Sequence, residues 1–148
     1  MNTAGSSKTI GLLLVAILLL VGGLHSAMGG EGSAVGLLDG KTFMVEQGEK
    51  GKAAKGTDTI TFRNGKFHSA GCDKYGFGDG SYTAKADGDA IRFVADTKSE
   101  TKGDMHWEGT VRGNRIDVVY TWIDKPHWYK PHPKPLEKWA KGEVKTSK

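Results

Sequence analysis

The chain has one cysteine, Cys72, and only four prolines, all of which fall between Pro126 and Pro135. A single thiol cannot close an internal disulfide, so the fold must be held by packing, and Cys72 is expected as a buried apolar filler. Charge of one sign is also missing: 21 basic residues against 17 acidic ones, with the basic residues spread along the chain. No basic, aromatic stripe of the kind that marks a nucleic-acid face is present, and such a partner is not expected. After Gly30 no segment has the i, i+3, i+4 apolar spacing of an amphipathic helix.

What is present begins at the N-terminus. Lys8 is the only charged side chain ahead of Glu31, and it precedes an apolar run from Ile10 to Leu24. A basic start, about 15 apolar residues and then small residues is the pattern of a secretory signal peptide. Ala27-Met28-Gly29 offers the small-x-small site for cleavage before Gly30. The competing reading is an uncleaved membrane anchor. A spanning helix needs about 20 apolar residues, and Gly22, Gly23 and His25 shorten this run. The expectation is therefore an exported protein, periplasmic or extracellular. It has a signal peptide at 1–29, a linker at 30–40, one folded domain at 41–144 and a disordered basic tail at 145–148.

Within that domain, short alternating runs are separated by Gly, Asn and Asp, the signature of an all-β meander. Eight strands are predicted: 41–47, 58–63, 66–70, 81–86, 90–96, 105–112, 115–124 and 136–144. Three hairpins fix the register. Asn64-Gly65 is a type I′ signal and pairs Phe62 with Phe67 and Ile60 with Ser69. A two-residue loop at Asp87-Gly88 pairs Ala84 with Ile91 and Tyr82 with Phe93. Gly113-Asn114 pairs Val111 with Ile116, Trp107 with Tyr120 and Met105 with Trp122. A one-residue slip would send each apolar set to the opposite face. Closing eight antiparallel strands removes the sheet edges, so the expected fold is an eight-stranded antiparallel up-and-down barrel. Two packed four-stranded sheets, a β-sandwich, would satisfy the same pattern.

Three stretches carry a resemblance: Phe62–Gly78 (FRNGKFHSAGCDKYGFG), Gly88–Phe93 (GDAIRF) and Trp107–Asp117 (WEGTVRGNRID). They resemble small exported bacterial β-barrel proteins of lipocalin-like, calycin type. A fainter similarity to META-type domains lies around Gly71-Cys72-Asp73 and Gly80–Thr83. The resemblance implies a ligand-binding or accessory role, and its motifs are turn glycines and strand aromatics that speak to fold rather than activity.

The interior set by strand parity runs from Phe43 and Val45 through Tyr82, Trp107 and Tyr120 to Trp122, with Trp139 assigned to it as well. It contains no Asp, Glu, Lys, Arg or His. General acid–base or nucleophilic catalysis needs a titratable group near the reacting atoms, so no enzyme is expected and no catalytic residue is assigned. His106 and Glu108 share an outer face with Asp117 nearby, the one set that could serve a hydrolase or isomerase, but such exposed groups are ordinarily a solvated surface. Two readings of the interior remain: a filled core, or an apolar pocket with room at Ser69, Ala84 and Gly109. On the first reading Tyr75 and Phe77 plug the open end as a satellite of the core. On the second the loop 71–80 acts as a lid, and Tyr75, Phe77, Tyr82, Trp107, Tyr120 and Trp122 bind a small apolar or amphipathic ligand at the barrel mouth. Asp73 and Asp79 lack the oxygen spacing of a calcium loop.

The segment Lys125–Pro135 (KPHWYKPHPKP) has the most unusual composition. Its prolines make it extended and semi-rigid, and as a plain crossover to the last strand it would pack Trp128 and Tyr129 on the barrel. His127 and His132 offer two imidazoles, but a closed metal site needs three or four ligands, so neither metal nor cofactor is expected. With three lysines, two exposed-type aromatics and no acid, the segment is the alternative functional surface. It suits a cell-envelope module that contacts a protein, glycan or membrane. A monomer is expected in either case.

Overall fold

The computed structural model describes residues 34–146, so the expected signal peptide at 1–29 lies outside the described residues. The chain forms eight strands: β1 (Thr42–Glu49), β2 (Gly56–Arg63), β3 (Lys66–Ser69), β4 (Gly80–Asp87), β5 (Ala90–Ser99), β6 (Gly103–Arg112), β7 (Arg115–Ile123) and β8 (Leu136–Val144). Each pairs antiparallel with the next, and β8 pairs with β1, so the sheet is a closed barrel and not a sandwich. A short 3₁₀ segment, Ala70–Tyr75, is the only helical element among the described residues.

Turn chemistry sets the register. Asn64 (φ 52°) and Gly65 (φ 70°) both occupy the left-handed region, as a type I′ turn requires. Phe62 accordingly faces Phe67, and Ile60 faces Ser69. The β6–β7 hairpin brings Trp107 opposite Tyr120 and Met105 opposite Trp122. The β4–β5 hairpin departs from expectation. Asp87 pairs with Ala90, so the loop is Gly88-Asp89, and Tyr82 faces Ala95 while Ala84 faces Phe93. Here only Gly88 has positive φ, the requirement of a type II′ turn with Gly first. The shift is two residues, so parity survives and the inward set is unchanged.

The interior is filled by aromatic side chains. Phe62 lies edge-on to Phe67, Tyr82 and Phe93 with ring centroids 5.5, 5.0 and 4.9 Å away. Trp107 meets Phe67 at 4.8 Å and stacks on Tyr120 at 4.1 Å. Its indole N–H donates to Thr97 Oγ1 at 2.9 Å, which satisfies the one polar atom of a fully buried ring. Two interior assignments are corrected. Trp139 alternates with buried Ala140 and so falls on the outer face. There its ring packs over Gly48 and its N–H donates to the carbonyls of Glu49 and Lys52, at 3.1 Å each. Asp58 is only 6 % exposed, an acid in an interior expected to hold none. It alternates with Ile60 and Phe62, so strand parity itself pointed it inward.

The barrel has two unlike ends. Tight turns at 64–65, 88–89 and 113–114 lie at one, and the loops 50–55, 70–79, 100–102 and 124–135 lie at the other. Residues 34–40, expected as a linker, close the turn end. Ala34 exchanges backbone hydrogen bonds with Ala84, and Leu38 is fully buried. The Tyr82 hydroxyl accepts from Leu38 N–H at 3.0 Å and donates to Asp39 Oδ1 at 2.8 Å. Burial, followed by that bond to Asp39, pushes the Tyr82 phenol up to about 12. At the loop end, Cys72 and Phe77 are buried. Asp58 accepts from Ser69 Oγ at 2.5 Å and from the N–H groups of Gly71 and Thr59 at 2.6 Å each. Those bonds draw the 3₁₀ segment over the barrel, and burial raises the Cys72 thiol.

Candidate functional site

The crossover from β7 to β8 carries the largest exposed aromatic surface. His127 and Lys130 exchange backbone hydrogen bonds, His127 N to Lys130 O at 3.1 Å and Lys130 N to His127 O at 2.9 Å. This closes a tight turn with Trp128 and Tyr129 at its tip. Pro126 and Pro131 flank it and restrict the backbone on both sides. The His127 ring stacks on Tyr129, nearly parallel at 4° with centroids 5.2 Å apart, and Trp128 stands edge-on to Tyr129 at 5.6 Å. Trp128 is 93 % exposed and Tyr129 65 %. The base of the loop is tied down where Lys125 Nζ donates to the Glu100 carbonyl at 2.5 Å and Lys130 lies 3.8 Å from Asp124. Two aromatic rings are thus held by their own turn, away from the core.

The six residues assigned to the barrel mouth separate into two groups. Tyr82, Trp107 and Tyr120 are buried inside the barrel and occupied with one another and with neighbouring phenylalanines. The Tyr120 hydroxyl donates to Gln47 Oε1 at 2.7 Å, and burial raises its phenol. Phe77 is 3 % exposed and plugs the loop end rather than standing over it. Tyr75, 46 % exposed, and half-buried Trp122 reach the surface. Trp122 donates its N–H to the Lys102 carbonyl at 2.6 Å. Three surface clefts, of about 520, 280 and 240 Å³, are lined by none of these six residues.

His106 lies on the outer face, as its parity required, with Nδ1 2.7 Å from Asp96 and Nε2 3.2 Å from Glu108. The Asp96 bond is the main cause of its raised pKa. Asp96 is cross-strand from His106, a partner sequence spacing did not supply; Asp117 is paired instead with Lys141 at 3.3 Å. All three members of the His106 group are exposed, and Glu108 also lines the cleft of about 520 Å³, whose wall does not include His106. His68 Nδ1 lies 2.7 Å from Asp79, but without hydrogen-bond alignment. Among the described residues no group of three or more His, Cys, Asp and Glu is placed to hold a metal ion. Compared with known proteins, the chain matches no family model, no curated protein and no solved structure.

Proposed function

We propose that this is an exported, non-enzymatic interaction module that works through its surface, with the Trp128–Tyr129 turn as the contact. The observation that carries this reading is the exposure of both rings on a turn closed by its own backbone bonds. Exposed aromatic surface of this kind marks a contact site, and Trp and Tyr are the residues that most often anchor one. Lys125, Lys130 and Lys134 lie in the same segment, and residues 125–135 hold no acid, so the fitting partner is an envelope surface of negative charge. The barrel is, on this reading, an up-and-down, lipocalin-like scaffold whose rigid core holds the loops in place.

A second reading puts a small apolar ligand at the barrel mouth. Tyr75 and Trp122 favour it, because both surface at the loop end. The filled interior weighs against it. Co-sedimentation with washed envelopes of the producing cells separates the two. The surface reading expects Trp128→Ser/Tyr129→Ser to abolish retention and Tyr75→Ser to leave it intact. Retention unchanged in the double variant would overturn it.

A further inference from the structure

A separate feature of the loop end concerns anions. Between the β1–β2 loop, the 3₁₀ segment and β8 lies a cleft of about 240 Å³ whose wall includes Gln47, Glu49, Lys55, Thr57, Lys74 and Lys138. Three lysines therefore face one carboxylate. Glu49 is already engaged, since both Lys52, which is outside the cleft, and Lys55 pair with it. Those lysines hold its carboxyl below the usual range, Lys52 foremost. Lys74 and Lys138 have no carboxylate at salt-bridge distance among the described residues. Each lies instead against an aromatic ring, Lys74 5.0 Å from the Tyr75 centroid and Lys138 5.7 Å from that of Tyr120. A ring face orients an ammonium group without neutralising it. Gln47 adds an oriented amide: its Oε1 accepts the Tyr120 hydroxyl, which leaves its NH₂ group as a donor. At about 30 Å³ per water, the cleft has room for a polyatomic anion with part of its hydration.

We infer that this cleft binds a small oxyanion, a phosphate or carboxylate group, between Lys74 and Lys138. The two ammonium groups supply charge-assisted hydrogen bonds, with the Gln47 amide and Thr57 hydroxyl as neutral partners. None of these residues lies in the 125–135 segment, so the two sites stand or fall separately.

The test follows the amide signals of Gly48, Gly56 and Gly71, which line the cleft, in the ¹⁵N-labelled protein. Sodium phosphate and disodium succinate are titrated at constant ionic strength, which removes general screening. Saturable shifts are expected, with a dissociation constant on the order of 1 mM or tighter. Lys74→Gln/Lys138→Gln, checked for an otherwise native spectrum, should weaken binding by about tenfold or more, as loss of charged hydrogen bonds does. Lys125→Gln/Lys130→Gln/Lys134→Gln should leave it within about twofold, since none of these residues lines the cleft. A second arm uses phosphatidylglycerol vesicles. Saturation by phosphate or succinate assigns a free oxyanion; vesicle retention that is lost in the cleft variant assigns a headgroup phosphate. Linear, non-saturating shifts without cleft-dependent vesicle retention, or equal weakening in both lysine variants, would overturn the inference.

Discussion

The bond between Trp107 and Thr97 offers the sharpest test of how the core is built. Both residues are buried, and Thr97 Oγ1 accepts the indole N–H at 2.9 Å. Thr97→Val keeps the shape but leaves the N–H without a partner, a cost of about 1–3 kcal/mol for a buried orphaned donor. Trp107→Phe removes the donor and part of the ring. The lost bond and residual cavity together should cost about 2–4 kcal/mol, somewhat below a full aromatic truncation. Neither loss is expected to unfold a domain with the usual stability of about 5–15 kcal/mol. In the double variant the orphaned N–H no longer exists. The two costs should therefore fall short of additivity by about 1–2 kcal/mol, as coupled neighbours do. Urea unfolding followed by far-UV circular dichroism gives all three values from one assay. Additivity within about 0.3 kcal/mol would mean that the pair is not coupled in the native core.

Three further outcomes are expected. A Cβ at Gly109 would collide with the Phe93 ring, so Gly109→Ala should destabilise by about 1–3 kcal/mol through overpacking, and a neutral or stabilised variant in thermal unfolding would contradict the filled interior. Tyr82→Phe removes the hydroxyl joining Leu38 N–H and Asp39; hydrogen exchange should speed up at Leu38 and Gly65 before it does in β6, and uniform acceleration would contradict a locally pinned segment. Because Asp96 raises His106, the folded protein holds that proton more tightly than the unfolded chain. The resulting stabilisation is present below the ordinary histidine value of about 6.5 and fades as pH rises through the folded value, and exposure keeps it small. An NMR titration should place the His106 midpoint above that of a free imidazole and lower it in Asp96→Asn; a midpoint unmoved by the substitution would contradict the assignment.

The strands were legible because barrel faces alternate, and alternation survives small errors. Moving the β4–β5 loop from 87–88 to 88–89 altered every partner yet exposed none of the inward set, since the shift was even. What parity did not supply was context beyond the strands. Leu38 is buried because it closes the turn end, a consequence of closure that no periodic pattern announces, whereas Phe77 fills the loop end as the plug reading of its aromatic loop expects. Trp139 reads as core because its ring is large, although its alternation with Ala140 points outward. Asp58 is the opposite case: its charge reads as surface and its parity is inward, and its acceptors are satisfied by Ser69, Gly71 and Thr59, contacts that only the folded loop creates. For the candidate site, composition singled out residues 125–135. It did not distinguish a ring packed on the barrel from one held in water; that depended on the His127–Lys130 bridge.

The four tryptophans allow the surface reading to be tested in one spectrum. Trp107 is buried, Trp122 and Trp139 are half-buried and Trp128 stands in solvent, so each indole N–H reports a different place. Sonicated envelope fragments from the producing cells are added to the ¹⁵N-labelled protein, and the four indole signals are followed. The expected result is early broadening of Trp128 with Trp107 unchanged. A shift of Trp107 while Trp128 stays sharp would place the binding inside the barrel and contradict the surface account.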